Sequence, residues 1–181
     1  MFGENHIQEM AAKAAALPKD IAWHFTGHVQ TNKIKYMAPF VSLIHAVDSF
    51  RLLREINKHA AKHERCIDCL LQIHIAQEER KYGLSVDECR QLLANEPWRE
   101  LQHIRITGLM AMGSNTDDLE QVRNEFRKIK QLFDELKSTY FVDERSICQL
   151  SEGTTADYPI AFEEGRTIVS VAPIIFGESI Y

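Results

Sequence analysis

Apolar residues along the chain recur in two rhythms. Short runs rich in aliphatic, β-branched and aromatic residues predict strands at 21–25 (IAWHF), 43–47 (LIHAV), 67–75 (IDCLLQIHI), 104–110 (IRITGLM), 147–151 (ICQLS) and 167–176 (TIVSVAPIIF). A fragment at Phe2-Gly3 reads as a further strand end running into a polar tip, Glu4-Asn5. Between the strands the period lengthens to that of a helix. Phe50, Leu53, Ile56 and Ala60 share one face behind Ser49, a residue suited to cap a helix start. SVDE at 85–88 has the form of a capping box, with Cys89, Leu92 and Leu93 as its buried side. The longest helix, over 117–138, presents Leu119, Val122, Phe126, Ile129, Phe133 and Leu136 inward. Asp117, Asp118 and Glu120 favour the positive end of its dipole, and Asn115 and Thr116 read as its caps.

Strand–helix alternation over the whole length predicts a parallel sheet with helices outside, either doubly wound or closed as a TIM-type barrel. No repeat, linker or low-complexity stretch divides the chain, so 1–181 reads as a single domain. Six strands and the fragment at Phe2 make seven, whereas a closed (β/α) barrel has eight. The count reads as a barrel missing its first βα unit ahead of Met1. Whether seven strands close, stay open or rearrange is left open by the sequence.

Composition narrows the function classes. The 181 residues are 45% hydrophobic and 26% charged, with a net charge of −5 and no long block of either sign. That excludes a nucleic-acid footprint and attraction to an anionic membrane. The apolar runs fall well short of the roughly 20 residues that a membrane span needs, and Met1 is not followed by a signal peptide. Cys66, Cys69, Cys89 and Cys148 lie in periodic apolar segments, as reduced thiols in a cytoplasmic protein do. The C-x-x-C of Cys66 and Cys69 has no second pair, and the scattered histidines include no H-E-x-x-H, so no metal site is expected.

Parallel α/β folds gather their chemistry at the carboxyl ends of strands. Those ends hold Glu4 and Asn5; Gly27, Gln30, Asn32 and Lys33; Asp48 and Ser49; Gln77, Glu78 and Glu79; Met110, Ser114 and Asn115; Ser151, Gly153 and Thr154; and Gly177 with Glu178. This polar, glycine-containing ring suits a small-molecule ligand. Gly27, Gly153 and Gly165 equally suit plain turns.

The segments FGENHIQE (2–9), WHFTGHVQTNK (23–33), IHAVDS (44–49), LLQIHIAQEERKYG (70–83), GLMAMG (108–113) and IFGESIY (175–181) resemble the pyridoxal-phosphate homeostasis proteins. That family shares its fold with the N-terminal barrel of alanine racemase. The resemblance covers nearly the whole chain, in order. It implies a cofactor-buffering protein without a defined turnover reaction, with Asn5, Met110, Ser151, Gly153, Thr155 and Thr167 at family-matched positions around pyridoxal phosphate.

Two departures bear on that expectation. In the family a strand precedes FGEN and its lysine forms the Schiff base with the cofactor; none of the ten lysines here matches that position. The family's Ser-Met-Gly-Met-Ser segment is replaced by Ser151-Glu152-Gly153-Thr154-Thr155. A phosphate-cradling arginine and glycine are replaced by Ser170 and Ala172, followed by Pro173. Serine removes a charge, alanine adds a methyl where backbone must approach, and proline lacks an N–H. Arg166 compensates only if its side chain turns inward.

Covalent cofactor binding is therefore expected to be lost, leaving weak non-covalent binding or none. The alternative is a truncated or engineered barrel scaffold with no cofactor function, whose two exposed strand edges, Phe2-Gly3 and 167–176, invite pairing into a homo-oligomer. Racemase or decarboxylase activity would need a cofactor lysine and a second acid–base group, which the matched motifs do not supply.

Overall fold

The structure, a computed structural model, describes residues 1–76, 82–142, 147–151, 158–171, 175 and 177. Six strands form one sheet: β1 (Phe2–Glu4), β2 (Trp23–Phe25), β3 (Val41–Val47), β4 (Ile67–Ile73), β5 (Ile104–Ala111) and β6 (Gln149–Ser151). All neighbours pair in parallel, and their order in the sheet is their order in the chain. A doubly wound sheet reverses its order at a switch point. This one never does, so it curls in one direction as a barrel wall does.

Helices cover the convex face: α1 (Ile7–Ala16), the short α2 (Ile34–Met37), α3 (Phe50–Ala61), α4 (Val86–Asn95), α5 (Leu119–Tyr140) and α6 (Tyr158–Glu163). The layer between them is the main core. Phe25, Ile44 and Ile67 from the sheet meet Met10, Ile56 and Ile129 from the helices, each at most 1% exposed. Burying a side chain of this kind contributes about 1.5–3 kcal/mol.

Local signals decide where the helices start. Ser49 Oγ accepts from the Leu52 N–H at 3.2 Å, as its position predicts. Ser85 and Glu88 form the reciprocal capping box, at 3.1 and 2.7 Å. For α5 the expectation was displaced. Asp118, not Asn115 or Thr116, is the cap, its carboxylate accepting from the N–H groups of Glu120 and Gln121. Thr116 instead accepts from the Asp118 N–H, one turn ahead of the helix. Leu119, expected on the buried face, is 58% exposed because the helix begins there, before its inward stripe at Val122.

Strand boundaries moved by one or two residues, and α1, α2 and α6 were not anticipated individually. The predicted strand 167–176 is not seen as a strand among the described residues. Ile168 makes an isolated parallel bridge to Ser151, while Ala172, Pro173, Ile174 and Phe176 lie outside the described residues. Six strands, rather than seven, are therefore described. Gly165 does supply a turn: at φ +86° it ends α6, with the Arg166 N–H returning to Ala161 O.

Gly108 is fixed by its neighbour. A Cβ there would lie 1.7 Å from the Gln149 carbonyl oxygen, so β5 and β6 pair closely only because the side chain is absent. Gly108→Ala is expected to destabilise the fold by at least about 2 kcal/mol, since backbone must move to admit the methyl. Ser85→Ala, which removes half of a capping box on an exposed turn, is expected to cost about 1 kcal/mol. Urea denaturation followed by circular dichroism checks both.

Candidate functional site

Side chains on the sheet alternate between the helix-covered face and the concave face. Three of the concave residues, Leu43 of β3, Leu70 of β4 and Met110 of β5, make a small apolar cluster with Ile168 packed against it, separate from the main core. Toward the strand starts this face carries an Arg105–Asp68 ion pair at 2.8 Å and a Thr107 hydroxyl donating to Gln149 at 2.7 Å. Toward the carboxyl ends it carries His24, His45, Gln72 and Ser151, all buried.

Three of these form a chain. His24 Nδ1 lies 3.1 Å from His45 Nε2, and His45 Nδ1 lies 2.9 Å from Ser151 Oγ. β3 and β6 are three strand spacings apart, about 14 Å on a flat sheet. Contact between their side chains is possible only because the sheet is strongly curved. His45 is 1% exposed, and burial pushes its pKa down to about 3, with His24 adding to the shift. Burial also lowers the pKa of His24. Both rings are therefore neutral near pH 7, each carrying one proton.

The expected site residues are placed as follows. Asn5 is exposed at the carboxyl end of β1, where its backbone abuts Gly27: a Cβ on Gly27 would meet the Asn5 carbonyl oxygen at 2.3 Å. Gly27 is thus held by a close approach as well as by the turn. Met110 sits in the apolar cluster, and Ser151 ends the histidine chain. Thr167 is exposed, and its hydroxyl oxygen accepts from the Leu150 N–H at 2.8 Å, securing the segment after α6. Gly153 and Thr155 lie outside the described residues, as do Gln77, Glu78, Glu79, Glu152, Thr154 and Glu178. Arg166 is buried: its guanidinium donates to the Phe126 carbonyl oxygen and lies 5.1 Å from the centre of the Phe126 ring.

Two further features shape the rim. A cleft of about 470 Å³ opens beside β2 and β3, lined by Gln30, Asn32, Asp48, Ser49 and Arg51 among others. After β5, buried Glu125 of α5 clasps the loop, accepting from the Ser114 N–H at 2.8 Å and from its hydroxyl at 2.6 Å. The cysteines offer no chemistry here. Cys69 is buried with its thiol pushed well up, Cys89 is raised to about 12, and Cys66 and Cys148 are exposed rather than packed. Among the described residues no three side chains form a metal-binding group, and no helix is long and apolar enough to cross a membrane.

Sequence reasoning passed over His24 and His45. The available signal was phase: in WHF and LIHAV each histidine is a polar residue within an apolar strand, on the side opposite Phe25 and Ile44.

The histidine chain has a pH signature. An unfolded His45 binds a proton near pH 6.5 and the folded one near 3, so between these values the unfolded state holds more protons. Stability is expected to fall as pH drops from about 6.5, by at most about 1.4 kcal/mol per pH unit for this group. Urea midpoints measured against pH should show a shallower acid limb in His45→Gln than in the parent.

Comparison with known proteins places this architecture. Residues 1–167 match the alanine racemase N-terminal domain. The pyridoxal phosphate homeostasis protein of Aquifex aeolicus is 38% identical, over all of this chain and 78% of the relative. That of Haemophilus influenzae is 32% identical, over 99% of this chain and 76% of the relative. PipY of Synechococcus elongatus, solved without PLP, superimposes with a TM-score of 0.89 at 29% identity, covering 97% of this chain and 81% of PipY. The same protein with PLP bound gives 0.84 at the same identity and coverage. The chain that carries this curved parallel sheet belongs to the pyridoxal phosphate homeostasis family, built on the alanine racemase N-terminal domain.

Proposed function

We propose that this chain binds pyridoxal phosphate weakly and without a covalent bond, at the carboxyl ends of its strands, as one cytoplasmic barrel-like domain spanning 1–181. Asn5, Met110, Ser151, Gly153, Thr155 and Thr167 surround the ligand in this reading. The family's relatives are pyridoxal phosphate homeostasis proteins, and PipY has been solved with PLP bound. The group supplies an aldehyde and an electron-withdrawing ring; what remains for this chain is to hold it.

The observation that carries the reading is the placement of the lysines. Lys81 lies outside the described residues; the other nine are on helices, turns or loops, and none is buried. Covalent capture of an aldehyde needs an unprotonated amine held beside it, which in practice means a desolvated lysine with a lowered pKa. Lys13, the lysine nearest β1, is instead paired with Glu4 at 2.5 Å, and that hydrogen bond raises its pKa. The phosphate end fits in part. Ser151 offers a hydroxyl, Arg166 donates to the Phe126 carbonyl oxygen, and Ser170 stands where the family resemblance implies an arginine. With serine in place of that arginine the cradle leans more on neutral donors, which hold a dianion less strongly.

A second reading rests on β1. Among the described residues it pairs with β2 alone, and Phe2 is 44% exposed at that edge. An unpaired edge is a template for another strand. In this reading the chain is a barrel scaffold whose edge pairs with a second copy. Light scattering across a concentration series then shows a dimer; a monomer at all concentrations removes it.

Titration with pyridoxal phosphate and with pyridoxal tests the first reading. The phosphate form is expected to bind more tightly, and borohydride treatment is expected to leave no lysine labelled. A stable labelled lysine would overturn the non-covalent assignment. Ser151→Ala is expected to weaken the phosphate form about tenfold, the value of one hydrogen bond to a charged group.

A further inference from the structure

The Ser151–His45–His24 chain has a direction. A neutral imidazole carries one N–H, so the two contacts of His45 are coupled through the single proton it holds. With the proton on Nδ1, His45 donates to Ser151 Oγ and accepts at Nε2 from the His24 Nδ1–H. The Ser151 hydroxyl proton then points away from the chain. With the proton on Nε2, His45 donates to His24 and accepts the Ser151 O–H. Ser151 then presents only lone pairs.

Burial makes the choice sharp. His24 is 8%, His45 1% and Ser151 5% exposed, so water does not readily substitute for either contact. The contacts, at 3.1 and 2.9 Å, leave each donor one partner. A phosphate oxygen accepts hydrogen bonds and donates none once ionised, so it is favoured by the first arrangement and opposed by the second.

We infer that His24 and His45 are positioning residues for a phosphate-bearing ligand: bound through Ser151, an oxyanion selects the Nδ1–H tautomer along the chain and turns the Ser151 hydroxyl into a donor. His24 contacts no ligand in this scheme and acts two hydrogen bonds away. The inference deepens the proposed function and rests on it, since it takes Ser151 to face the phosphate.

The test is made on the unaltered protein with ¹⁵N-labelled histidine, whose ring-nitrogen shifts report which nitrogen is protonated. Titrating pyridoxal phosphate, inorganic phosphate and pyridoxal separately, the first two are expected to move both rings toward Nδ1–H and the third to leave them unmoved. Among variants, His45→Leu is expected to weaken pyridoxal phosphate about tenfold with pyridoxal little changed. His45→Asn, whose amide places a donor near the Nδ1 position, is expected to recover most of that loss. Tighter binding of pyridoxal phosphate than of pyridoxal with the ring shifts unchanged would overturn the inference and leave the proposed function standing. Equal binding of the two ligands would overturn the phosphate reading, and the inference with it.

Discussion

A buried chain of three polar side chains crosses the concave face and holds together only while this sheet stays strongly curved. β3 and β6 are separated by two strands, yet His45 and Ser151 share a hydrogen bond. A flatter sheet would break that contact and leave buried polar groups without partners, at about 1–3 kcal/mol each. Apolar packing on the convex face tolerates small slides, because it is non-directional. The hydrogen bonds do not, so they favour the curved sheet over a flatter one.

The two faces divide the labour. The convex face meets α1, α3, α4 and α5 through one continuous apolar layer, which supplies most of the stability. The concave face has only a small plug of Leu43, Leu70 and Met110, and polar pairs on either side of it. Close pairing of β5 with β6 at Gly108 brings Ser151 level with Met110, joining the plug to the histidine chain at the carboxyl ends. The buried polar chain lies where the packing is thinnest.

Much of the fold was legible in the sequence, because period and caps are local. Ser49 and the Ser85–Glu88 box act where their spacing predicts, and the strands at β3, β4 and β5 fall within two residues of their apolar runs at either end. The cap of α5 was missed because four adjacent polar residues, Asn115 to Asp118, compete and only geometry decides among them. The site was less legible. Ser151 and Asn5 were marked by family resemblance, but the meeting of His24, His45 and Ser151 depends on strand curvature, which no local pattern encodes. Arg166 could be read either way until its guanidinium was seen against Phe126.

The clasp of Glu125 on Ser114 joins a rim loop to the second turn of a 22-residue helix. A loop tied at both the N–H and the hydroxyl of one residue gives up part of its conformational entropy on folding. It also makes Glu125 a residue of divided allegiance. Belonging by sequence to the scaffold, it answers by contact to the rim, so a substitution on the helix reshapes that part of the mouth.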